Sequence, residues 1–441
     1  MLAAMPPPAT LPVPLSPGNA SARARGDACP GALRLHQADD GALARVRVPG
    51  GVLTVAQADV LRELAGRLGD GELHLTSRGN VQLRGLGPDC GSELVSRMGA
   101  SGLLPSERHE RIRNVVASPL SGLDGRGDRD IRPWLSALDD LLCASDTAVG
   151  LSGRFLFALD DGRGDVDVLG ADVALTARSG EDALLRIGSS ESVVRIPANR
   201  APEAALIAAE AFLDAAPGSG AWRVTDLSGG GEILLDEVLR RLRQAKIRST
   251  RTAGPVRPPD SATPALGVVT GPQDAVTLSV GVPLGRIGAA QWQALTDTAR
   301  RCGSGELRLT PWRGVVVPGT DPAHAAEALA RLGSVGLIIG PRSPWTGVGA
   351  CIGRPGCAKS LADVRGEAAA TVGAAGALPV YWSGCERRCG HPRGEWVDVV
   401  ATPDGHQVSV VRGEERGGAQ SIPDSPAALA AAVAAARGTL S

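Results

Sequence analysis

The sequence predicts an α+β protein built around a duplicated module. Residues 48–85 and 282–319 align without a gap at a constant offset of 234, with 16 of 38 positions identical. The segments between and after the two copies combine strand-like and helix-like patterns. A repeat of this kind decides the organisation of the chain before any single motif is considered.

Each copy begins with a strand followed by a helix. In the first copy, residues 43–49 alternate between apolar and polar side chains as a strand does. Thr54 is then placed to cap a helix, and Gln57 stands three residues later to complete a capping box. The helix has one apolar face, formed by Val60, Leu61, Leu64 and Leu68.

The rest of the copy predicts a hairpin and a second helix. The stretches "ELHLTS" and "NVQLRG" are short strands joined by a tight turn at Arg78-Gly79, and a helix follows from about residue 90. This β-α-β-β-α order is that of a ferredoxin-like half-module. Two such halves can pair about a pseudo-twofold axis.

The regions outside the repeat predict further strands and helices. Residues 150–198 are typical of strands and hairpins, with a turn at Asp160-Asp161-Gly162. Helices are expected at about 201–216 and 232–245. Two strands near 396–411 and an alanine-rich helix near 426–437 follow the second copy.

Composition shifts suggest where these units meet. The first residues are broken by prolines, and residues 249–273 are rich in proline and glycine without periodicity. The predicted segments are a disordered tail (1–27), a first half-module (28–108), a first α/β domain (109–248), a linker (249–273), a second half-module (274–340) and a second α/β domain (341–441).

Charge and composition exclude several functions. The formal net charge is −1, which gives no reason to expect a nucleic-acid partner or an anionic membrane. No run approaches the 18 apolar residues of a membrane span, and the prolines near the start interrupt any signal-peptide core. We therefore expect a cytoplasmic protein with reduced cysteines. Only Lys246 and Lys359 are lysines, so anion sites must use arginine.

Four of the eight cysteines form two pairs. Five residues separate Cys351 from Cys357, and three separate Cys385 from Cys389. Four thiolates suit a [4Fe–4S] cluster, with glycines allowing tight turns around it. Structural zinc prefers two to four intervening residues, so it and unconnected core cysteines remain as alternatives. The other cysteines have no such partners in sequence: Cys29, Cys90, Cys143 and Cys302.

The cysteine spacing and the duplicated "L-T-x-R-x-x-x-Q" module resemble the sirohaem-dependent sulfite and nitrite reductase superfamily, over nearly the whole chain beyond residue 27. The resemblance implies an α+β fold of two ferredoxin-like half-modules paired about a pseudo-twofold axis plus two α/β nitrite/sulfite-reductase-like domains. It also implies that the four paired cysteines hold a [4Fe–4S] cluster. In the reductases, the last cysteine bridges to sirohaem iron.

Within this superfamily the stretches "RGDACPGALRLHQADDGALARVRVPGG", "LTSRGNVQLRGL" and "GC…CGHP" resemble the precorrin-3A monooxygenases of aerobic cobalamin biosynthesis. These enzymes use O₂ to hydroxylate C20 of the macrocycle and close a γ-lactone. The resemblance implies an external electron donor, such as a ferredoxin, a reductase or an NADH-linked system. It also allows a mononuclear non-haem iron, for which His391, His74 and His109 are candidate ligands. No catalytic residue is assigned.

The same resemblance assigns contacts to the tetrapyrrole. Arg78, Gln82, Arg113, Asn114 and Arg154 match positions that contact anions or the macrocycle.

A departure from the reductases lies at residues 154–156. Arg154 stands where the reductases carry the first of two lysines, and Leu156 stands at the second. Arginine donates protons poorly and leucine not at all, which favours a tetrapyrrole substrate over a reductase cofactor. The alternatives are a sirohaem-dependent sulfite or nitrite reductase, and a non-enzymatic iron–sulfur or zinc protein.

Overall fold

The computed structural model describes residues 27, 29–254, 263–373, 375–392 and 394–438. The predicted tail lies outside these residues except for Asp27. That residue is buried, so the ordered chain already includes it. Within the described part, no helix is both long and apolar enough to cross a bilayer.

The first half-domain has the predicted order of strands and helices. Its elements are β1 (His36–Ala38), β2 (Gly41–Val46), β3 (Val52–Thr54), α1 (Val55–Leu68), β4 (Leu73–Leu75), β5 (Val81–Leu86) and α2 (Gly91–Ala100). The capping box is present, since the Gln57 N–H donates to the Thr54 hydroxyl at 3.2 Å and the Thr54 N–H donates to Gln57 Oε1 at 3.1 Å. The turn between β4 and β5 places Gly79 at a φ of +66°, which suits glycine.

The first α/β domain follows. Its elements are β6 (Val115–Ala117), α3 (Arg132–Ala144), β7 (Phe157–Asp160), β8 (Val173–Ala177), β9 (Asp182–Ile187), β10 (Ser192–Pro197), α4 (Ala201–Ala215), α5 (Glu232–Gln244) and β11 (Thr250–Ala253). The sheet order is β11-β10-β9-β8-β7-β6. Residues of all three helices pack in one core with one face of this sheet.

The predicted hairpin at Asp160-Asp161-Gly162 is wrong. Strands β7 and β8 are parallel neighbours, so a loop rather than a two-residue turn connects them. The buried Asp160 carboxylate organises this loop by accepting from the N–H groups of Gly162, Gly164, Val166 and Asp167. A side chain that satisfies four backbone donors stabilises a longer connection than the glycine signal suggested.

The second half-domain repeats the first. Its elements are β12 (Gly267–Thr270), β13 (Val276–Gly281), β14 (Arg286–Ile287), α6 (Ala289–Arg301), β15 (Glu306–Leu309), β16 (Gly314–Thr320) and α7 (Ala325–Ser334). Both described ends of the predicted linker 249–273 therefore contain strands, β11 and β12. Residues 255–262 lie outside the described part.

The two half-domains exchange a strand. Strand β14 pairs with β4 of the first sheet, and β3 pairs with β15 of the second. Trp292 on α6 donates its indole N–H to the carbonyl of Ala58 on α1 at 2.8 Å. These two residues are themselves equivalent at the offset of 234, so the contact lies close to the symmetry axis. The predicted pseudo-twofold pairing is confirmed.

The second α/β domain completes the chain. Its elements are β17 (Val348–Ala350), α8 (Val364–Thr371), β18 (Val380–Ser383), β19 (Glu395–Thr402), β20 (Gly405–Arg412), β21 (Glu415–Arg416), β22 (Gln420–Ile422) and α9 (Pro426–Arg437). Strands β17, β18 and β19 are parallel and β20 is antiparallel, as are β6, β7, β8 and β9 in the first α/β domain. The duplication thus extends to both kinds of unit, and the predicted α+β fold class is confirmed.

Candidate functional site

The paired cysteines lie at the carboxyl ends of two parallel strands. Cys351 directly follows β17, and Cys385 comes two residues after its neighbour β18. The Cys351 N–H donates to the Trp382 carbonyl at 2.9 Å, which continues the ladder by one residue. The Gly384 N–H then donates to Cys351 Sγ at 3.2 Å. Adjacent parallel strands therefore deliver both cysteine loops to one edge of the sheet.

All four thiols share one electrostatic environment. Burial raises the pKa of Cys389, and charges on Cys351, Cys385 and Cys357 raise it further against an opposing effect of Arg387. Burial also raises the pKa of Cys351, with added contributions from Cys385 and Cys357. These mutual effects agree with the adjacent strands and with the Gly384–Cys351 bond, which bring the two cysteine loops to one edge of the sheet.

The spacing of these sulfurs disfavours a zinc site. In the described residues, no three of the thiols have sulfur atoms mutually within 4.8 Å. Tetrahedral zinc with bonds of about 2.3 Å needs sulfur atoms about 3.8 Å apart. Four thiols on loops at one edge of a sheet are the ligand number of a [4Fe–4S] cluster, which is larger than a zinc ion.

Close packing holds the cysteine loops in place. A Cβ on Gly384 would lie 1.8 Å from Ser360 Oγ, so only glycine lets the two loops approach this closely. The Tyr381 hydroxyl donates to the Cys389 carbonyl at 2.6 Å. From the first half-domain, Arg84 donates to the Gly356 carbonyl at 3.1 Å.

The outer face of the first half-domain sheet is basic. In β2, Ala44 and Val46 belong to the apolar core, so Arg45 and Arg47 lie on the opposite face. Gln82 of β5 is the cross-strand partner of both Arg45 and His74. The outward face of these three strands consists of Arg45, Arg47, His74, Gln82 and Arg84, and we call this set the basic face.

Apart from Arg84, which pairs with Asp40, the arginines on and beside the basic face have little compensation from carboxylates. Burial lowers the pKa of Arg78 to about 9, with further lowering by Arg223, Arg47 and Arg45. The one carboxylate that opposes this effect, Asp172, is already bonded to Arg223 at 2.9 Å. In the described structure, Arg45 Nε and Arg47 Nη1 are buried without a hydrogen-bond partner. An anionic ligand would satisfy these donors.

Three of the five predicted tetrapyrrole contacts have side chains available for binding. Arg78 uses only Nη1, which donates to the Arg154 carbonyl at 3.1 Å. The side chains of Arg154 and Gln82 make no hydrogen bond or ion pair with the other described residues, and both are partly exposed. These three residues remain candidate ligand contacts next to the basic face.

The other two predicted contacts have side chains that are bonded within the framework. Arg113 is buried and forms a bidentate ion pair with Asp139, at 2.7 and 2.6 Å. Asn114 is fully buried, accepting from Asn80 at 3.0 Å and donating to the Phe155 carbonyl at 2.9 Å. Their polar groups already have partners within the chain, and a tetrapyrrole contact of either residue stays a prediction. A motif shows that a residue is constrained and does not distinguish a ligand contact from an internal bond.

Sequence reasoning missed Arg45, Arg47 and Arg223. The first two could have been found, because in "LARVRVP" the arginines alternate with core residues and must share the outward face. Arg223 lies in a connection between α4 and α5 and reaches the site only through the tertiary fold. No local pattern marks it.

The second half-domain lacks the basic face. At the offset of 234, Arg45, Arg47, Gln82 and Arg78 correspond to Ser279, Gly281, Val316 and Trp312. Its one outward arginine, Arg308, is bonded to Glu306 and to the carbonyls of Pro119 and Ser121. Trp312 instead packs against an apolar patch of the first α/β domain. The second half-domain therefore lacks the group of outward cations seen in the first, although Arg308 Nη2 is also buried without a hydrogen-bond partner among the described residues.

Leu156 lies in that apolar patch. Its side chain is buried, and its N–H donates to Asp172 at 2.8 Å. The position therefore provides no proton donor and no cation.

The candidate histidines are committed to internal contacts. His391 stacks on Trp396 with ring centroids 4.9 Å apart, and His109 bonds Ser106 and the Ser145 carbonyl. His74 lies near Asp70 and Glu72, with their ligand atoms mutually within 4.8 Å.

The His74 group is also engaged without a metal. His74 is bonded to Asp70 and to Arg365, and Glu72 pairs with Arg286 at 3.0 Å. The described residues thus offer no ligand set for a mononuclear iron that is free of other partners.

Comparisons with known proteins agree with this architecture. Residues 36–99 and 270–335 match the Nitrite/Sulfite reductase ferredoxin-like half domain. A precorrin-3B synthase from a Sinorhizobium species is 28% identical over 416 residues, covering 92% of this chain and 87% of the relative. A ferredoxin–nitrite reductase from Synechococcus elongatus is 27% identical over 381 residues, covering 80% of this chain and 74% of the relative.

The solved structure of the Mycobacterium tuberculosis NirA protein has the same fold. It superposes with a TM-score of 0.67 at 20% identity, covering 86% of this chain and 77% of that one. The two half-domains match the half-domain model of the nitrite/sulfite reductases, and the chain as a whole is similar to a precorrin-3B synthase and to ferredoxin–nitrite reductases. It is an enzyme of the oxidoreductase class, as the sequence predicted.

Proposed function

We propose that this enzyme is a precorrin-3B synthase, an O₂-dependent monooxygenase that hydroxylates precorrin-3A at C20 and closes the γ-lactone. The overall reaction places one oxygen atom of O₂ in the product and the other in water. It consumes two electrons and two protons for each turnover. Precorrin-3A is therefore the substrate, and an external donor supplies the electrons.

The basic face carries this proposal. Precorrin-3A is a reduced tetrapyrrole rimmed with acetate and propionate carboxylates. Arg45 and Arg47 present buried donors without partners, and Arg78 lies beside them. Guanidinium groups bind carboxylates through paired charge-assisted hydrogen bonds. Arg154 and Gln82 add further free polar groups at the edge of this surface.

The apolar environment of Leu156 supports oxygenation over anion reduction. Multi-electron reduction of sulfite or nitrite consumes many protons, which a positioned donor must supply. Leu156 is buried among apolar residues and Arg154 is a poor proton donor. A tetrapyrrole that enters and leaves as substrate does not need a lysine pair at this position.

The cysteine loops supply the redox part of the proposal. Cys351, Cys357, Cys385 and Cys389 would hold a [4Fe–4S] cluster, which passes electrons one at a time. The chain's own contribution is to keep the four thiols together and to seat their loop on the first half-domain through Arg84. In this proposal, the sheet of the first half-domain contacts both the macrocycle and the cysteine loop.

Labelled oxygen tests the reaction directly. The reconstituted protein is incubated with precorrin-3A, a reductant and ¹⁸O₂, and the product is examined by mass spectrometry. We expect one labelled oxygen atom in a hydroxylated lactone. No conversion by protein with an intact cluster would overturn the proposal. Isolation with a tightly bound macrocycle that has Soret absorption would instead favour a sirohaem reductase.

Metal analysis tests the cofactor separately. We expect about four irons and four labile sulfides per chain, as the cluster type requires. Cys357→Ser should abolish this content, because Cys357 is one of the four grouped thiols. Cys302→Ser is the matched control, since Cys302 packs against the core of the half-domains and donates its S–H to the Thr298 carbonyl. Equal loss of iron and sulfide in the two variants would contradict the assignment of Cys357 as a cluster ligand. Zinc in place of iron would contradict the cluster itself.

A further inference from the structure

A guanidinium group without a carboxylate partner contacts the backbone of the cysteine loop. Arg365, on α8, donates Nε–H to the carbonyl oxygen of Cys351 at 3.1 Å. Its Nη1 donates to His74 Nδ1 at 3.1 Å. Among the described residues, no carboxylate lies within ion-pairing distance of Arg365. The buried arginines Arg84 and Arg223, in contrast, each pair with a carboxylate.

The surroundings of Arg365 add positive charge. Burial lowers the pKa of Arg365 to about 10, and Arg313, Arg286 and Arg84 lower it further. Arg286 and Arg84 are neutralised by Glu72 and Asp40. Arg313 has no such partner in the described part of the chain. Arg365 therefore contacts both the cysteine loop and the first half-domain, and the uncompensated charge of Arg313 is near enough to act on it.

His74 fixes the direction of the Arg365 side chain. A guanidinium group only donates hydrogen bonds, so His74 Nδ1 must accept and His74 Nε2 must carry the proton. The Nε2–H then points to Asp70 Oδ2, at 3.1 Å. The chain of bonds from Asp70 to the Cys351 carbonyl crosses the domain boundary and holds the guanidinium against the cysteine loop.

We propose that Arg365 is a positioning residue that raises the reduction potential of the [4Fe–4S] cluster. Reduction adds one negative charge to the cluster. A cation held nearby in a poorly hydrated region stabilises that charge much more than an exposed cation does. This inference rests on the proposed cofactor, and it does not depend on the identity of the tetrapyrrole.

A potentiometric titration with dithionite, followed by electron paramagnetic resonance of the reduced cluster, measures the effect. Arg365→Gln should shift the midpoint potential downward, and Arg365→Lys should restore most of the wild-type value. Arg354→Gln is a matched control: Arg354 is exposed and also donates to a carbonyl of the same loop, that of Ser360, at 2.8 Å. Because solvent screens Arg354, its removal should leave the potential unchanged. An unchanged potential in Arg365→Gln with full cluster content would overturn the inference.

A second variant keeps the inference testable if Arg365→Gln fails to assemble the cluster. Arg313 has a φ of +58° and occupies the position of Gly79 in the repeat, so Arg313→Gly removes a charge while relieving the backbone. We expect the midpoint potential of the cluster to fall by less than in Arg365→Gln. An unchanged midpoint potential would count against a role for the charge of Arg313. Wild-type protein without labile sulfide would overturn the proposed cofactor as well. An intact cluster with unmoved potentials overturns only this inference.

Discussion

Arginine serves two purposes in this chain, and the partner of each side chain decides which. Arg113 is bonded to the carboxylate of Asp139 and stabilises the fold. Arg78 and Arg154 have no carboxylate partner among the described residues. Because lysine is nearly absent, the sequence alone does not separate ligand-binding cations from structural ones. The distinction becomes visible only when the carboxylates are placed in space.

Arg154→Gln should weaken substrate binding more than turnover. A charge-assisted hydrogen bond contributes about 1.5–3 kcal/mol, so we expect KM for precorrin-3A to rise roughly 10- to 100-fold. Steady-state kinetics at constant ionic strength provide the measurement. The control is Arg108→Gln, which removes an exposed arginine paired with Asp146 on the surface. An unchanged KM in Arg154→Gln would remove this residue from the binding site.

Asp165 makes the stability of the first α/β domain depend on pH. Burial and the neighbouring Asp160 raise the pKa of Asp165 to about 7, above its ordinary value of 3.8. The folded state therefore binds a proton more tightly than the unfolded state. Stability falls as pH rises from about 4 to 7, and the full penalty applies above 7.

Asp165→Asn should remove this penalty. The asparagine oxygen can still accept from the Ser118 hydroxyl, which lies 2.6 Å from Asp165. We expect stabilisation of up to about 4 kcal/mol at pH 8 that fades toward pH 4. Thermal melting at both pH values measures it. Asp146→Asn, at an exposed site, should shift neither midpoint, and a pH-independent gain at Asp165 would contradict the explanation.

At the scale of elements, periodicity and capping predicted well where the signal was local. Helix α1 begins at its predicted cap, and α4, α5 and α9 lie where the pattern placed them. The β7–β8 connection failed because a buried carboxylate, rather than the glycine, organises the loop. The strands β3 and β14 are three and two residues long. Segments this short carry no usable periodicity, so their exchange between sheets could not be predicted.

The strand exchange depends on Gly51. Gly51 immediately precedes β3 and has a φ of +73°, and a Cβ there would lie 1.9 Å from the Leu309 carbonyl oxygen. Gly51→Ala should destabilise the protein by about 2–5 kcal/mol through strain and a backbone clash. In Gly66→Ala, an exposed position inside α1 with open space around it, we expect a gain of about 0.5–1 kcal/mol. Denaturant unfolding distinguishes the two, and equal effects would contradict the packing argument.

At the scale of the whole molecule, the candidate site is an assembly of several units. The second α/β domain contributes the cysteines, the first half-domain contributes the basic face, and the first α/β domain contributes Arg154 and Arg223. The spacing of the cysteines predicted a shared four-thiol site, and the structure places Cys351 and Cys385 just after two adjacent parallel strands; that the four thiols hold a cluster stays a prediction. The meeting of Arg365 with His74 joins residues 291 positions apart. No sequence pattern links them, since each is fixed by a different core.

This assembly predicts that the first half-domain protects the cluster. Arg84 is buried, forms a bidentate ion pair with Asp40 at 2.9 and 2.8 Å, and also donates to the Gly356 carbonyl of the cysteine loop. Arg84→Gln should leave Asp40 without its counter-charge and weaken the contact with the loop, at a cost of about 2 kcal/mol. Iron release to a chelator, followed by absorbance, should become faster although the fold persists.

A second arginine–carboxylate pair of the same half-domain provides the comparison. Arg67 pairs with Glu93 at 2.8 Å on the surface, where such pairs contribute little. Arg67→Gln should release iron at the wild-type rate. If Arg84→Gln also does so, the cysteine loop is held by the second α/β domain alone, and the sheet that presents the basic face does not support the cluster.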